Sequence, residues 1–229
     1  MYVMSNVRRT LGPVKGQPGR ARIARGSLTA DSILDAAEGL ATEALERLTI
    51  RSVAAALSAS PMSLYRYFPT KSDLVDALLD RILGRFEPVP GTDSWTGDLA
   101  LFARAHRQVL ADHPWAVSAF FNHANPGINA TRIGEDALGI LARGGITGES
   151  AVAAFSGVIA LNYGWCGFAF ARADDARPMV EALAALPVEQ FPATVSVAGA
   201  MAGYGSDAHY DAVLDCLVQG ISLRLPAQY

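Results

Sequence analysis

Apolar positions recur at three- and four-residue spacing along most of this chain, and that period predicts helices. Ile33, Leu34, Ala37, Leu40 and Ala41 form one stripe. They predict a helix from about Ala30 to Ala44, with Thr29 as its cap. Ile50, Val53, Ala54 and Leu57 form a second stripe, capped by Thr49, and Ser58 and Ala59 break it. Ser60 followed by Pro61 is a third helix start, a capping hydroxyl and then proline at the first helical position. Leu64 and Phe68 point inward from that helix, and Pro69 ends it by disfavouring helical geometry at Phe68. Thr70 caps a fourth helix, Lys71 to about Leu83, with Leu74, Val75, Leu78 and Ile82 inward.

Glu87 to Trp95 holds two prolines and a glycine and reads as a linker. Beyond it the period predicts helices at about 96–111, 114–124, 128–143, 148–173 and 206–224. Shorter ones fall near 178–186 and 189–200, among the prolines and glycines of 175–205. No strand pattern or internal repeat is visible. The predicted fold is all-α, a small N-terminal three-helix unit and a larger helical body.

The third helix has an unusual outward face. Met62, Ser63, Tyr65, Arg66 and Tyr67 are large and polar for a surface that meets only water. Such a set suits a DNA major groove, where arginine bonds guanine edges bidentately and tyrosine and serine hydroxyls reach phosphates. Lys71, at the start of the fourth helix, can meet a phosphate.

Charge sharpens this picture. The net charge of the 229 residues is -3, which alone argues against nucleic acid. Residues 1–85, however, carry 12 Lys/Arg against 8 Asp/Glu (+4), and residues 86–229 carry 7 against 14 (-7). A basic head on an acidic body fits a DNA-binding protein. Residues 1–27 form a polar arm with six basic and no acidic residues, of which Arg22 and Arg25 lie nearest the first helix.

The string SPMSLYRYFPTKSDLVDALLD, Ser60 to Asp80, resembles the recognition-helix region of the TetR family of transcriptional repressors. The specific resemblance covers residues 28–83; the rest is similar only in length and helical character. It implies a helix-turn-helix DNA-binding domain over 28–85 behind the basic arm. A helical effector-binding and dimerisation domain over 95–229 would follow. The implied DNA contacts are Arg22, Arg25, Thr49, Arg51, Ser60, Pro61, Met62, Ser63, Tyr65, Arg66, Tyr67 and Lys71. Two positions depart from the family pattern. Ser58 stands where the turn usually has glycine, and Glu43-Ala-Leu-Glu46 replaces a loop that usually has one.

Two polar residues interrupt apolar stripes in the body. His106 lies among Leu99, Phe102, Val109 and Leu110, and Asn162 among Phe155, Ile159, Tyr163 and Cys166. Each is either a core group with a partner or a polar group in a cavity. With Trp115, Phe120 and Trp165 these residues suit a mostly apolar ligand site, of which His106, Trp115, Phe120, Phe155, Ile159, Asn162, Tyr163 and Trp165 are the candidates. His113 and His123 read as exposed. Asp207, Asp211 and Asp215 read as a surface face.

Other chemistry is not indicated. There is no phosphate-cradling glycine loop, HExxH, CxxC or GxSxG, and the Asp174-Asp175 pair reads as solvated charge. Cys166 and Cys216 read as small packed hydrophobes. No catalytic group, metal site or cofactor is expected. The apolar stretch Ala151 to Ala171 contains Asn162 and several small residues and reads as a buried helix, so no membrane span is expected. No signal peptide is visible. The expectation is a cytoplasmic homodimer, built on the body's last two long helices, that binds a palindromic operator and releases it to a small apolar or aromatic effector. A DNA-binding dimer without an effector, and an enzyme using the helical cavity with His106 as base, are the alternatives.

Overall fold

The computed structural model describes residues 28–123, 127–171 and 177–223. Their helices are α1 (Ala30–Glu43), α2 (Ile50–Ala56), α3 (Pro61–Leu64), α4 (Lys71–Leu83), α5 (Trp95–Ala111) and α6 (Pro114–Phe120). The rest are α7 (Ile128–Arg143), α8 (Gly148–Ala171), α9 (Arg177–Ala184), α10 (Pro192–Ser196) and α11 (Asp207–Leu223). Single 3₁₀ turns occupy Leu45–Arg47 and Gly199–Gly203, and no strand occurs among the described residues.

The head is organised by its caps. Thr29, Thr49 and Thr70 each accept the backbone N–H three residues on, and Ser32, Ser52 and Asp73 return a side-chain bond to the cap backbone. These are three capping boxes with Ser or Asp in place of the commoner Glu. Ser60 accepts from the Ser63 N–H at 3.3 Å, with Pro61 at the first helical position. Ile33, Ala37, Leu48, Val53, Leu64, Leu74 and Leu78 are fully buried and make the core of the head. Arg81–Asp35 (2.5 Å) binds α4 to α1 at the surface, and Arg85–Glu38 (2.6 Å) ties the residues just after α4 to α1.

Ser58 has φ 52°, the one non-glycine residue with positive φ among the described residues. It follows the end of α2. The Ala59 N–H reaches the Ala54 carbonyl at 2.9 Å, and the Ser58 N–H reaches Ala55 at 3.1 Å. This pair of bonds is a Schellman closure, which usually seats glycine at the left-handed position. Several expectations are corrected. The third helix is a single turn, Pro61–Leu64, followed by turns to Phe68. The helix expected at 114–124 stops at Phe120.

In the body α5 and α8 pack against each other, with α7 and α11 against both and α6 on α8. Arg104 and Arg107 of α5 pair with Asp211, Asp215 and Asp207 of α11, so the acid face on α11 is an ion-pair seam and not free surface. Such exposed pairs contribute only ~0.2–1 kcal/mol each. Cys166 is buried as expected, but Cys216 is exposed.

The long helix α8 is not the buried helix its composition suggested. By length and hydropathy it could cross a membrane, yet only 28% of that window is buried. One side packs on α5, α6, α7 and α11. The other side leaves Val152 and Phe168 exposed, and α11 exposes Val213.

Candidate nucleic-acid interface and ligand cavity

The turn at Ser58 and the cap at Ser60 fix how α3 stands on α2. Leu64 and Phe68 anchor it in the core, which turns the other side chains outward. Met62 is 75% exposed, and Tyr65, Arg66, Pro61, Ser60, Arg51, Thr49 and Lys71 are also exposed. The structure therefore gathers Arg51, Tyr65, Arg66 and Lys71 at the surface of one unit. Arg51, Arg66 and Lys71 make no ion pair or hydrogen bond with another described residue.

The hydroxyls are less free than the sequence suggested. Thr49, Ser60 and Ser63 use theirs within the caps, the Ser63 hydroxyl donating to the Ser60 carbonyl at 2.5 Å. The Tyr67 hydroxyl donates to the Leu28 carbonyl at 2.6 Å. The bond holds the backbone just ahead of α1, and the Tyr67 side chain remains 43% exposed. Arg22 and Arg25 lie outside the described residues.

A cavity of about 540 Å³ opens between α4, α5, α6, α7 and α8. His106, Phe120, Phe155, Ile159 and Tyr163 line it, so five of the eight candidate ligand residues stand on one wall system. The Tyr163 ring stacks near Phe120 at 5.6 Å between centroids and meets His106 edge-on at 5.8 Å. Burial pushes the Tyr163 phenol up to about 12, so it stays neutral.

Asn162, Trp115 and Trp165 are not on this wall. Asn162 is fully buried and spends its amide inside the core. Its Nδ2 donates to the Ala103 carbonyl at 2.9 Å and to His106 Nδ1 at 3.0 Å, and its Oδ1 accepts from the Tyr210 hydroxyl at 2.7 Å. Of the two interrupting polar residues, then, Asn162 is a satisfied core group and His106 is both bonded and on the cavity wall. Trp165 donates to the Gly205 carbonyl at 3.1 Å and packs on Tyr210. Trp115 is half-buried against the core.

Burial holds the His106 imidazole well below its usual range, at about 4. It is neutral near pH 7. The Tyr210 phenol is also pushed up by burial, although Arg107 lies over its ring at 4.3 Å.

Two polar contacts tie the cavity to α4. His123 lines the cavity and its Nδ1 bonds the Asp76 carboxylate of α4. Asp80 of α4 accepts from the backbone of Asn129 and Ala130 at the start of α7, where Ala130, Thr131 and Ile133 line the cavity. Sequence reasoning missed both, because the partners lie 47 to 50 residues apart. It also read His113 as exposed. His113 is buried, with Nδ1 donating to the Val109 carbonyl at 2.7 Å and Nε2 accepting from Arg85, the second residue after α4. Among the described residues no cluster of His, Cys, Asp and Glu could hold a metal ion.

Residues 33–78 match the family described as bacterial regulatory proteins, tetR family, and residues 87–225 match the tetracyclin repressor-like C-terminal domain. An HTH-type transcriptional regulator of Saccharopolyspora erythraea is 34% identical over 149 residues, 64% of this chain and 63% of that protein. The HTH-type transcriptional repressor DrrR1 of Streptomyces coeruleorubidus is 39% identical over 103 residues, 44% of this chain and 37% of that protein. The chain thus spans less than two thirds of these relatives' own length. Apo ActR from Streptomyces coelicolor superposes with a TM-score of 0.81 at 24% identity, over 87% of this chain and 97% of that one. ActR in complex with actinorhodin gives 0.81 at 23% identity, over 87% and 99%. At this identity the two structures establish the shared fold.

Proposed function

The chain belongs to the TetR family of bacterial regulatory proteins, and on that premise we propose that it is a homodimeric repressor released from a palindromic operator by a small, mostly apolar effector. The observation that carries this reading is the double attachment of the cavity to α4, through His123–Asp76 and through Asp80 at the start of α7. α4 also packs on α1 of the head and on α6 and α7 of the body. A ligand that respaced α7 and α6 would therefore act on the helix that carries the head. Each ligand-bound body would shift the population toward a head spacing that does not fit the operator, a coupling of about 1–3 kcal/mol.

The DNA side of the proposal rests on the free, exposed Arg66, Arg51, Tyr65 and Lys71. Arg66 reads base edges and Lys71 meets a phosphate. The dimer side rests on the open apolar faces of α8 and α11, which soluble monomers rarely expose at this extent. Relatives lend weight to the effector: solved structures of ActR, a protein of this fold, hold (S)-DNPA and actinorhodin. Selection of duplexes from a random pool with the full chain tests the reading. The expected winners are two-fold symmetric sites with half-sites one helical turn or somewhat more apart. Winners with no symmetry would reject the dimeric operator complex.

A further inference from the structure

We infer that His106 presents a fixed hydrogen-bond donor, Nε2–H, to the cavity, and that the effector it selects carries a neutral acceptor oxygen, a carbonyl or quinone, on a flat apolar frame. This rests on the reading of the cavity as the effector site and adds which chemistry it accepts.

The Ala103 carbonyl fixes the orientation of the Asn162 amide. A carbonyl only accepts, so the Asn162 atom 2.9 Å from it is the NH₂ group, and Oδ1 is the atom facing the Tyr210 hydroxyl. The second hydrogen of that NH₂ points at His106 Nδ1, 3.0 Å away. A nitrogen that receives a hydrogen carries none, so Nδ1 is bare and the proton of the neutral ring sits on Nε2. Protonating Nδ1 as well would set two donors against each other inside the core. The cationic ring is closed to this site, and so is the tautomer in which Nε2 accepts.

Nε2 has no hydrogen-bond partner among the described residues. Nor is it sealed against packed side chains, since Arg107 Nε is the one buried side-chain nitrogen or oxygen without a partner among them. His106 is 2% exposed and stands on the cavity wall, so Nε2–H opens on the cavity. A donor there, without water, costs free energy that an acceptor on the ligand recovers. Phe120, Phe155 and Tyr163 supply flat apolar surface around it, and a tricyclic frame is well within about 540 Å³. An ammonium ligand would set donor against donor, and a carboxylate would find no cation on His106.

The test uses two probes that differ in one group, 9-fluorenone (C=O) and fluorene (CH₂), with binding to the full chain measured by isothermal titration calorimetry. The expected result is roughly tenfold tighter binding of fluorenone, the worth of one net hydrogen bond. His106→Phe should remove that preference by weakening fluorenone while leaving fluorene unchanged. Gly134→Trp, which builds a ring into the cavity from α7, should abolish binding of both. Equal affinities of the two probes for the native chain, lost in Gly134→Trp, would overturn the donor assignment and leave the cavity reading standing. Binding indifferent to Gly134→Trp, or none to the native chain, would overturn both. Nitrogen-15 shifts of the native protein provide a check that needs no variant: Nδ1 in the unprotonated range and Nε2 in the protonated range support the assignment, and the reverse refutes it.

Discussion

The Asp80 carboxylate of α4 accepts the backbone N–H of Asn129 at 2.8 Å, and so supplies from another helix the cap that α7 lacks. It also accepts from the Ala130 N–H at 3.2 Å and from the Asn129 amide at 3.0 Å. The Gly127 backbone passes so close that a Cβ there would lie 2.6 Å from Asp80 Cγ. The carboxylate near the positive end of α7 is favoured by the helix dipole as well.

Asp80→Ala should therefore cost about 0.5–2 kcal/mol of stability, the usual loss on deleting a cap. It should also separate α7 from α4. Operator affinity without effector should stay near the native value, while the effector concentration needed for release should rise. Urea unfolding and an operator-release titration check the two parts. Unchanged stability together with unchanged release would show that the contact does neither.

Ser58→Gly should stabilise the head. A serine at φ 52° is strained where glycine is not, and the gain should be roughly 0.5–1 kcal/mol. Chemical denaturation measures it. A loss of stability in Ser58→Gly would mean that the strain is smaller than the added freedom of the unfolded chain.

Arg66→Ala should weaken operator binding by about 1–3 kcal/mol and relax base preference at its position. Lys71→Ala should weaken all duplexes alike and make the salt dependence shallower by about one phosphate contact. Tyr67→Phe should affect DNA only through Leu28, whose carbonyl it holds. Anisotropy titrations at several salt concentrations separate the three. An Arg66→Ala variant with native operator affinity at fixed salt would remove α3 from the interface.

The buried His106 gives a pH dependence of definite sign. Its folded value of about 4 lies below the usual 6.5, because burial disfavours the charged ring. Between these values the unfolded chain holds a proton that the folded chain does not. Its contribution is fully present above about pH 6.5 and is lost as pH falls toward 4, by up to roughly 3 kcal/mol. His106→Gln should flatten the loss across that window. Equal slopes for both proteins between pH 6.5 and 4 would place the ring in water.

The exposed faces of α8 and α11 predict a dimer. Light scattering should give twice the 24.2 kDa chain mass. Val213→Glu should shift the balance toward monomer by burying an unpaired charge.

Local signals carried most of the fold. Thr29, Thr49, Ser60 and Thr70 are capping residues followed by apolar periodicity, and their helices start where the sequence places them. The strained turn at Ser58 was legible through the family resemblance, whose pattern usually has glycine in that turn. What the period could not tell was which polar groups meet. His106 and Asn162 both interrupt apolar stripes, but their bond joins residues 56 apart and depends on Tyr210 from a third helix. Asp80 carries no comparable signal, because its partner is a helix start 49 residues away. Nor does apolar composition alone distinguish a buried helix from one with an open side, and α8 is the second kind.

If cavity and operator are coupled, filling the cavity must change operator affinity. The full chain is bound to its selected operator, and Kd is measured with and without a saturating ligand whose occupancy of the cavity is shown by loss of its heat-shift in Gly134→Trp. Operator binding should be weaker by roughly 5- to 150-fold when the cavity is filled. An operator Kd that is the same with the cavity full and empty would contradict the coupling.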